Sequence, residues 1–185
     1  MVLPFFTIGH STRSIEEFVD LLRSAQVSMV IDIRRVPRSR TNPQYNKDAL
    51  PANLAPFQLG YEHIAELGGL RGKAKNVPSE VNGFWENQSF HNYADQALTE
   101  AFRSGLNRLI DLGRERRTAM MCSEAVWWRC HRRLVADNLI AGGESVFHLM
   151  GKNKIEPAKL FVGARVSKNG IVTYPADGSD HDETT

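Results

Sequence analysis

The chain has 185 residues, 42% of them apolar and 24% charged, with a formal net charge of +2. That is the composition of one globular domain large enough to bury a core, and it excludes disordered and collagen-like chains. No apolar run approaches the roughly 20 residues that cross a bilayer. The opening residues lack the basic flank and long apolar stretch of a signal peptide. The two cysteines, eight residues apart, make no disulfide framework, so a cytoplasmic protein is expected.

Charge is unevenly spread. The last ten residues carry Asp177, Asp180, Asp182 and Glu183 without a Lys or Arg, and setting those four aside leaves +6 on the first 175 residues. Arginines cluster at 34, 35, 38 and 40, at 114, 116 and 117, and at 129, 132 and 133. Clustered guanidinium groups suit an anionic partner, a small molecule or a nucleic acid. The middle cluster, at a helix end, reads as solvated surface charge.

The elements follow in order. Residues 5–9 read as a buried strand. Ser14 and Glu17 then form a capping box ahead of an apolar helical face of Ile15, Phe18, Val19 and Leu22. Residues 27–33 make a second β-branched run, so the chain opens as a β-α-β unit with a right-handed crossover. A polar region with Pro37 and Pro43 follows, then a partly helical stretch over 47–59, a short strand over 61–64 and the glycine-rich loop Gly68-Gly69. Residues 73–88 stay irregular. The longest helical pattern spans 93–112, followed by a strand over 118–122, a helix over 128–141, and a strand over 146–150. Lys168-Asn169-Gly170 separates two apolar runs as a hairpin turn. The expectation is a single α/β domain over 1–175, mainly a parallel sheet flanked by helices, with a hairpin over about 160–175 and a disordered acidic tail, 176–185.

The segment from Met120 to Arg133 holds both cysteines, Glu124, His131 and three arginines within fourteen positions. It reads as strand, tight turn and helix start, a geometry that aims backbone N–H groups and a helix dipole at one point. In open parallel sheets functional residues gather at the carboxyl ends of the strands. Three predicted strand ends carry polar groups: Gly9-His10-Ser11-Thr12-Arg13, residues 32–40, and Cys122-Ser123-Glu124. Parallel strands would bring these loops together.

Cys122 is the leading nucleophile candidate, with Arg129 and the helix N-terminus to lower its pKa; the bland alternative is an inert buried thiol. Glu124 is a candidate proton carrier or a partner of Arg129, and His10 a candidate acid, base or structural hydrogen bonder. Arg13, Arg34, Arg38, Ser39, Arg40, Arg129, His131 and Arg132 are candidate anion contacts. Cys122, Cys130 and His131 are soft ligands that suit zinc, although an adjacent Cys-His pair points to different faces of a helix. No cofactor is expected. A Cys122–Cys130 disulfide requires both side chains to face the turn. The spacing Cys122-x6-Arg129 is one residue longer than the loop of cysteine phosphatases and some rhodanese relatives, and neither activity is assigned.

Four blocks run in order from Ile8 to Met150: Ile8-Gly9-His10-Ser11-Thr12-Arg13-Ser14 with Phe18, Asp32-Ile33-Arg34 with Pro37-Arg38-Ser39-Arg40, Leu67-Gly68-Gly69 with Arg71, and Cys122-Ser123-Glu124 with Cys130-His131-Arg132. On these residues the chain resembles the bacterial and archaeal family called domain of unknown function 488. The resemblance implies an α/β domain and a site built on the Cys–Glu and Cys-His-Arg elements. It names no reaction.

Three functional readings follow from the residues. The first is a cysteine-dependent hydrolase or transferase acting on a phosphate-bearing substrate, a nucleotide or nucleic acid. The second is a non-catalytic nucleic-acid-binding module, with Trp127 or Trp128 to stack on a base. The third is a metal-dependent hydrolase or metal-binding regulator. An oligomer is compatible with the sequence but not demanded by it.

Overall fold

A computed structural model describes residues 1–176. The acidic segment from residue 177 onward lies outside the described residues. The opening β1 (Phe5–Gly9), α1 (Ile15–Ser24) and β2 (Met29–Asp32) form the expected β-α-β unit. The Ser14–Glu17 capping box closes reciprocally, the Ser14 side chain accepting from Glu17 N while the Glu17 carboxylate accepts from Ser14 N. After it come α2 (Leu50–Leu54), β3 (Gly60–His63), α3 (Gln88–Gln96), α4 (Glu100–Glu115) and β4 (Thr118–Cys122). The chain then runs through α5 (Arg132–Ala141), β5 (Val146–Gly151) and β6 (Lys154–Pro157) to a small hairpin of β7 (Arg165–Val166) and β8 (Val172–Thr173).

Six strands form one sheet in the order β3-β2-β4-β1-β5-β6, parallel except for the antiparallel edge strand β6. The fold is α/β, with the C-terminal antiparallel hairpin as a separate two-stranded sheet. Strand alternation sorts the core into two layers. Phe5, Met29, Ile31 and Met120 face residues of α3, α4 and α5, whereas Phe6, Ile8, Val30, Ala119 and Met121 face α1 and α2.

Three expectations need correction. The long helical pattern over 93–112 is two helices, because Thr99 caps a new one by accepting Phe102 N through its side chain. Strand β6 was not expected; it is short, mostly exposed and lacks a buried face to mark it. The helix expected from 128 begins at Arg132, because Trp127–Arg129 form a 3-10 turn and Cys130 is extended. This last shift rephases every side chain around the cysteines.

The C-terminal segment docks on α5 through Arg133 and Asp137. The Arg133 guanidinium sits over four rings, 4.7 Å from Phe161, 5.1 Å from Trp85, 5.7 Å from Trp127 and 5.8 Å from Phe90. Buried Asp137 accepts from Tyr174 Oη at 2.8 Å and from Phe161 N at 3.0 Å. Tyr174→Phe removes one of the two donors to this carboxylate. It is expected to cost about 1–3 kcal/mol, read as a lower urea midpoint; an unchanged midpoint would mean the phenol contributes nothing to docking.

Candidate functional site

Register puts the ends of three central strands level. Gly9 lies opposite Cys122, and Asp32 opposite Met121. Pairing continues past the strand ends, His10 N donating to Cys122 O and Ser11 N to Ser123 O. This works only because residue 9 has no side chain: a Cβ there would stand 1.8 Å from the Glu124 carbonyl oxygen. The three strand-end loops therefore meet over a cavity of about 760 Å³.

Nine of the expected residues line that cavity: His10, Arg34, Arg38, Ser39, Cys122, Glu124, Arg129, Cys130 and His131. Three do not. Arg13 donates to the Gly9 carbonyl and to Met150 O at 3.3 Å, tying β1 to β5. Arg40 is exposed away from the cavity. Arg132 is fully buried behind the cavity wall. The opposite wall, Asn87, Ser89, Phe90 and Tyr93 with Gly69 and Leu70, was missed. Its one local signal is Asn87, whose side chain caps α3 by accepting Ser89 N and Phe90 N.

Several lining residues are already committed. The Arg34 guanidinium pairs bidentately with Asp32, at 2.8 Å through Nε and 2.7 Å through Nη2, and also donates to Tyr45 O. Its charge is neutralised where it stands. His10 donates from Nδ1 to Ser11 O at 2.8 Å, leaving Nε2 to accept Arg34 Nη1 at 3.3 Å, while its ring stacks on Tyr45 at 4.2 Å. Burial lowers its pKa to about 4. His10 is thus buried and neutral, with both nitrogens occupied. Arg35, Arg38 and Arg129 are the exposed guanidinium groups on the cavity, and none of them joins an ion pair among the described residues.

At the floor lie the two cysteines, 2% and 5% exposed, with sulfurs 2.6 Å apart. Arg132 Nη1 stands 2.6 Å from Cys122 Sγ and also donates to the Glu124 carbonyl, while Nη2 donates to Ala125 O. The backbone N–H of Arg132 points to Cys130 Sγ at 3.4 Å. Among the described residues no carboxylate pairs with Arg132. The arginine beside Cys122 is thus Arg132, not Arg129 as the spacing suggested, because the late start of α5 turns that position inward.

The two thiols are unequal. Burial pushes the Cys122 thiol well up, and the hydrogen bond and charge of Cys130 add to that. Burial also pushes Cys130 upward, but the hydrogen bond from Cys122, the Arg132 charge and the Arg132 N–H outweigh it and bring Cys130 below its ordinary value. The pair is coupled, with the Arg132 guanidinium against the Cys122 sulfur and the Arg132 N–H aimed at the Cys130 sulfur. His131 donates from Nε2 to Ile33 O at 2.9 Å, so its neutral ring turns Nδ1 toward Cys130 Sγ at 3.6 Å. The adjacent Cys-His pair therefore shares one site. Among the described residues no group of three or more His, Cys, Asp or Glu is arranged to hold a metal ion.

A parallel α/β sheet with a paired-cysteine cavity at its strand ends defines the class of protein. Within it, the family model "Domain of unknown function DUF488" matches residues 14–139, and the chain belongs to that family. None of the curated proteins matches the chain, and none of the solved structures does. Among the described residues no helix is long and apolar enough to cross a membrane.

Buried histidines give the fold a pH dependence. His10 and His148, the latter accepting or donating at Thr7 Oγ1 and stacked on Trp127, both fall from 6.5 to about 4, chiefly through burial. The unfolded chain takes up those two protons near 6.5 and the folded protein only near 4. Asp137 opposes them, protonating near 6 when folded instead of 3.8. Two losses outweigh one gain, so stability is expected to fall as the pH drops from about 6.5 toward about 4. Urea midpoints across that window check this, and a midpoint rising with acidity would refute it.

Proposed function

We propose that this protein is a cysteine-dependent hydrolase or transferase acting on a phosphate-bearing substrate, a nucleotide or a nucleic-acid end. The observation that carries the reading is the buried Arg132 guanidinium against the paired sulfurs at the floor of an arginine-lined cavity. Burying an arginine without an anion costs on the order of several kcal/mol. A thiolate in the cysteine pair offsets that cost and is itself the reactive form of cysteine.

Cys130 is the nucleophile, with Cys122 retaining the shared proton and donating it to Cys130 or to the Glu124 carbonyl at 3.7 Å. Arg35, Arg38 and Arg129 hold the phosphate oxygens. The thiolate attacks phosphorus, the bond to the leaving oxygen breaks, and that oxygen takes a proton from water. Glu124, exposed on the same cavity, then activates the water or acceptor that releases the phosphoryl group from sulfur. Phe90 and Leu70 offer apolar surface to the rest of the substrate.

Iodoacetamide near neutral pH is expected to alkylate Cys130, located by peptide mass. Arg132→Met should slow that reaction by about tenfold or more, the effect of one pKa unit. Inorganic phosphate should protect Cys130, and the double change Arg38→Ala with Arg129→Ala should remove the protection. Two thiols that resist alkylation at neutral pH would end the thiolate reading. Alkylation that phosphate never slows would end the phosphate assignment alone.

A further inference from the structure

We infer that Cys122 is a resolving thiol for Cys130, so that the site is a reversible oxidation site for hydrogen peroxide and small organic hydroperoxides. The inference rests on the thiolate reading above and extends it to the second cysteine, which a simple nucleophile does not need.

Five observations point there. The two sulfurs are 2.6 Å apart, and a disulfide at about 2.05 Å requires them to close by only about half an ångström. Both cysteines line the cavity, so a molecule as small as a peroxide reaches them from the open side. Cys130 receives the Arg132 N–H and lies beside the Arg132 charge, which favours thiolate on that sulfur. Cys122 Sγ lies 3.7 Å from the Glu124 carbonyl and within contact of whatever forms on Cys130. The pair sits across a turn rather than along one helix: Cys122 ends β4 and Cys130 is extended, two residues before α5. Both side chains face the turn, which is the condition that a bridge between them must meet.

The Cys130 thiolate attacks one peroxide oxygen, forming an S–O bond as the O–O bond breaks, and the other oxygen leaves as hydroxide or alkoxide. Cys130 is then a sulfenic acid. Cys122 gives its proton to the departing oxygen, and its sulfur attacks Cys130. The S–S bond forms, the S–O bond breaks, and the oxygen leaves as hydroxide, which takes a proton from solvent to become water. Two thiols are oxidised by two electrons, and one hydroperoxide is reduced to water and an alcohol, or to two waters. A dithiol reductant reverses the step. Nucleophilic activity is lost while the bridge stands, and overoxidation of Cys130 is prevented because the sulfenic acid is consumed at once.

The test treats the full-length protein with a small excess of hydrogen peroxide. Both titratable thiols are expected to disappear, the intact mass to fall by two hydrogens, and peptide mapping to join Cys122 to Cys130. Dithiothreitol should restore both thiols. In Cys122→Ser, checked for folding by circular dichroism, dimedone should label Cys130 and prolonged peroxide should convert it to sulfinic acid. If wild-type protein instead yields sulfinic Cys130 beside a free Cys122, the resolving role is overturned while alkylation still supports the thiolate. Thiols that neither oxidise nor alkylate overturn both readings. A stoichiometric metal bound to the two sulfurs in the purified protein also overturns this inference.

Discussion

A guanidinium group carried into a protein core must meet negative charge or hydrogen-bond acceptors, and at Arg132 this requirement organises the site. Two of its nitrogens hold the carbonyls of Glu124 and Ala125, which fixes the loop after β4, and one of them also meets the Cys122 sulfur. The same residue's N–H reaches Cys130. Loop shape, thiol spacing and local potential are thus set by one side chain. The close approach of Gly9 to the Glu124 carbonyl holds that loop against the central strand from the other side.

Around this centre, charge is divided into a fixed layer and an available one. Asp32 neutralises Arg34 and also accepts its backbone N–H, and Tyr61 adds a fourth hydrogen bond to the carboxylate at 2.6 Å. His10 fills the gap between Arg34 and the β1 turn without charge. These groups hold the strand-end loops in register with one another. The exposed arginines at 35, 38 and 129 are left to the solvent side, where an incoming anion meets them first.

Much of this was legible in the chain. The capping box at Ser14, the β-branched run before Asp32 and the strand ending at Cys122 gave the parallel sheet, and the sheet implied that three distant loops converge. What could not be read was which arginine reaches which cysteine. That depends on where α5 starts, and Trp127–Arg129 form a 3-10 turn in place of its first turn. A shift of four residues exchanges Arg129 for Arg132 and brings Cys130 beside Cys122. Whether a polar residue is free or committed was equally hidden: Arg34 and Arg38 look alike in sequence, and only the burial of Asp32 separates them. The α3 wall escaped because its contribution comes from a loop and a helix end with no strong periodicity.

The ring of aromatic groups around Arg133 links segments far apart in the chain. Trp85 and Phe90 lie within the stretch matched by the family model, whereas Phe161 lies beyond its end at residue 139. Tyr174, further still along the chain, closes over Asp137 on the next turn of the same helix. The helix that presents the cysteine-binding arginine is therefore buttressed by residues outside the matched stretch. A piece of this protein trimmed to residues 14–139 would bare an aromatic face and a buried carboxylate, and would take β1 and β5 out of the sheet.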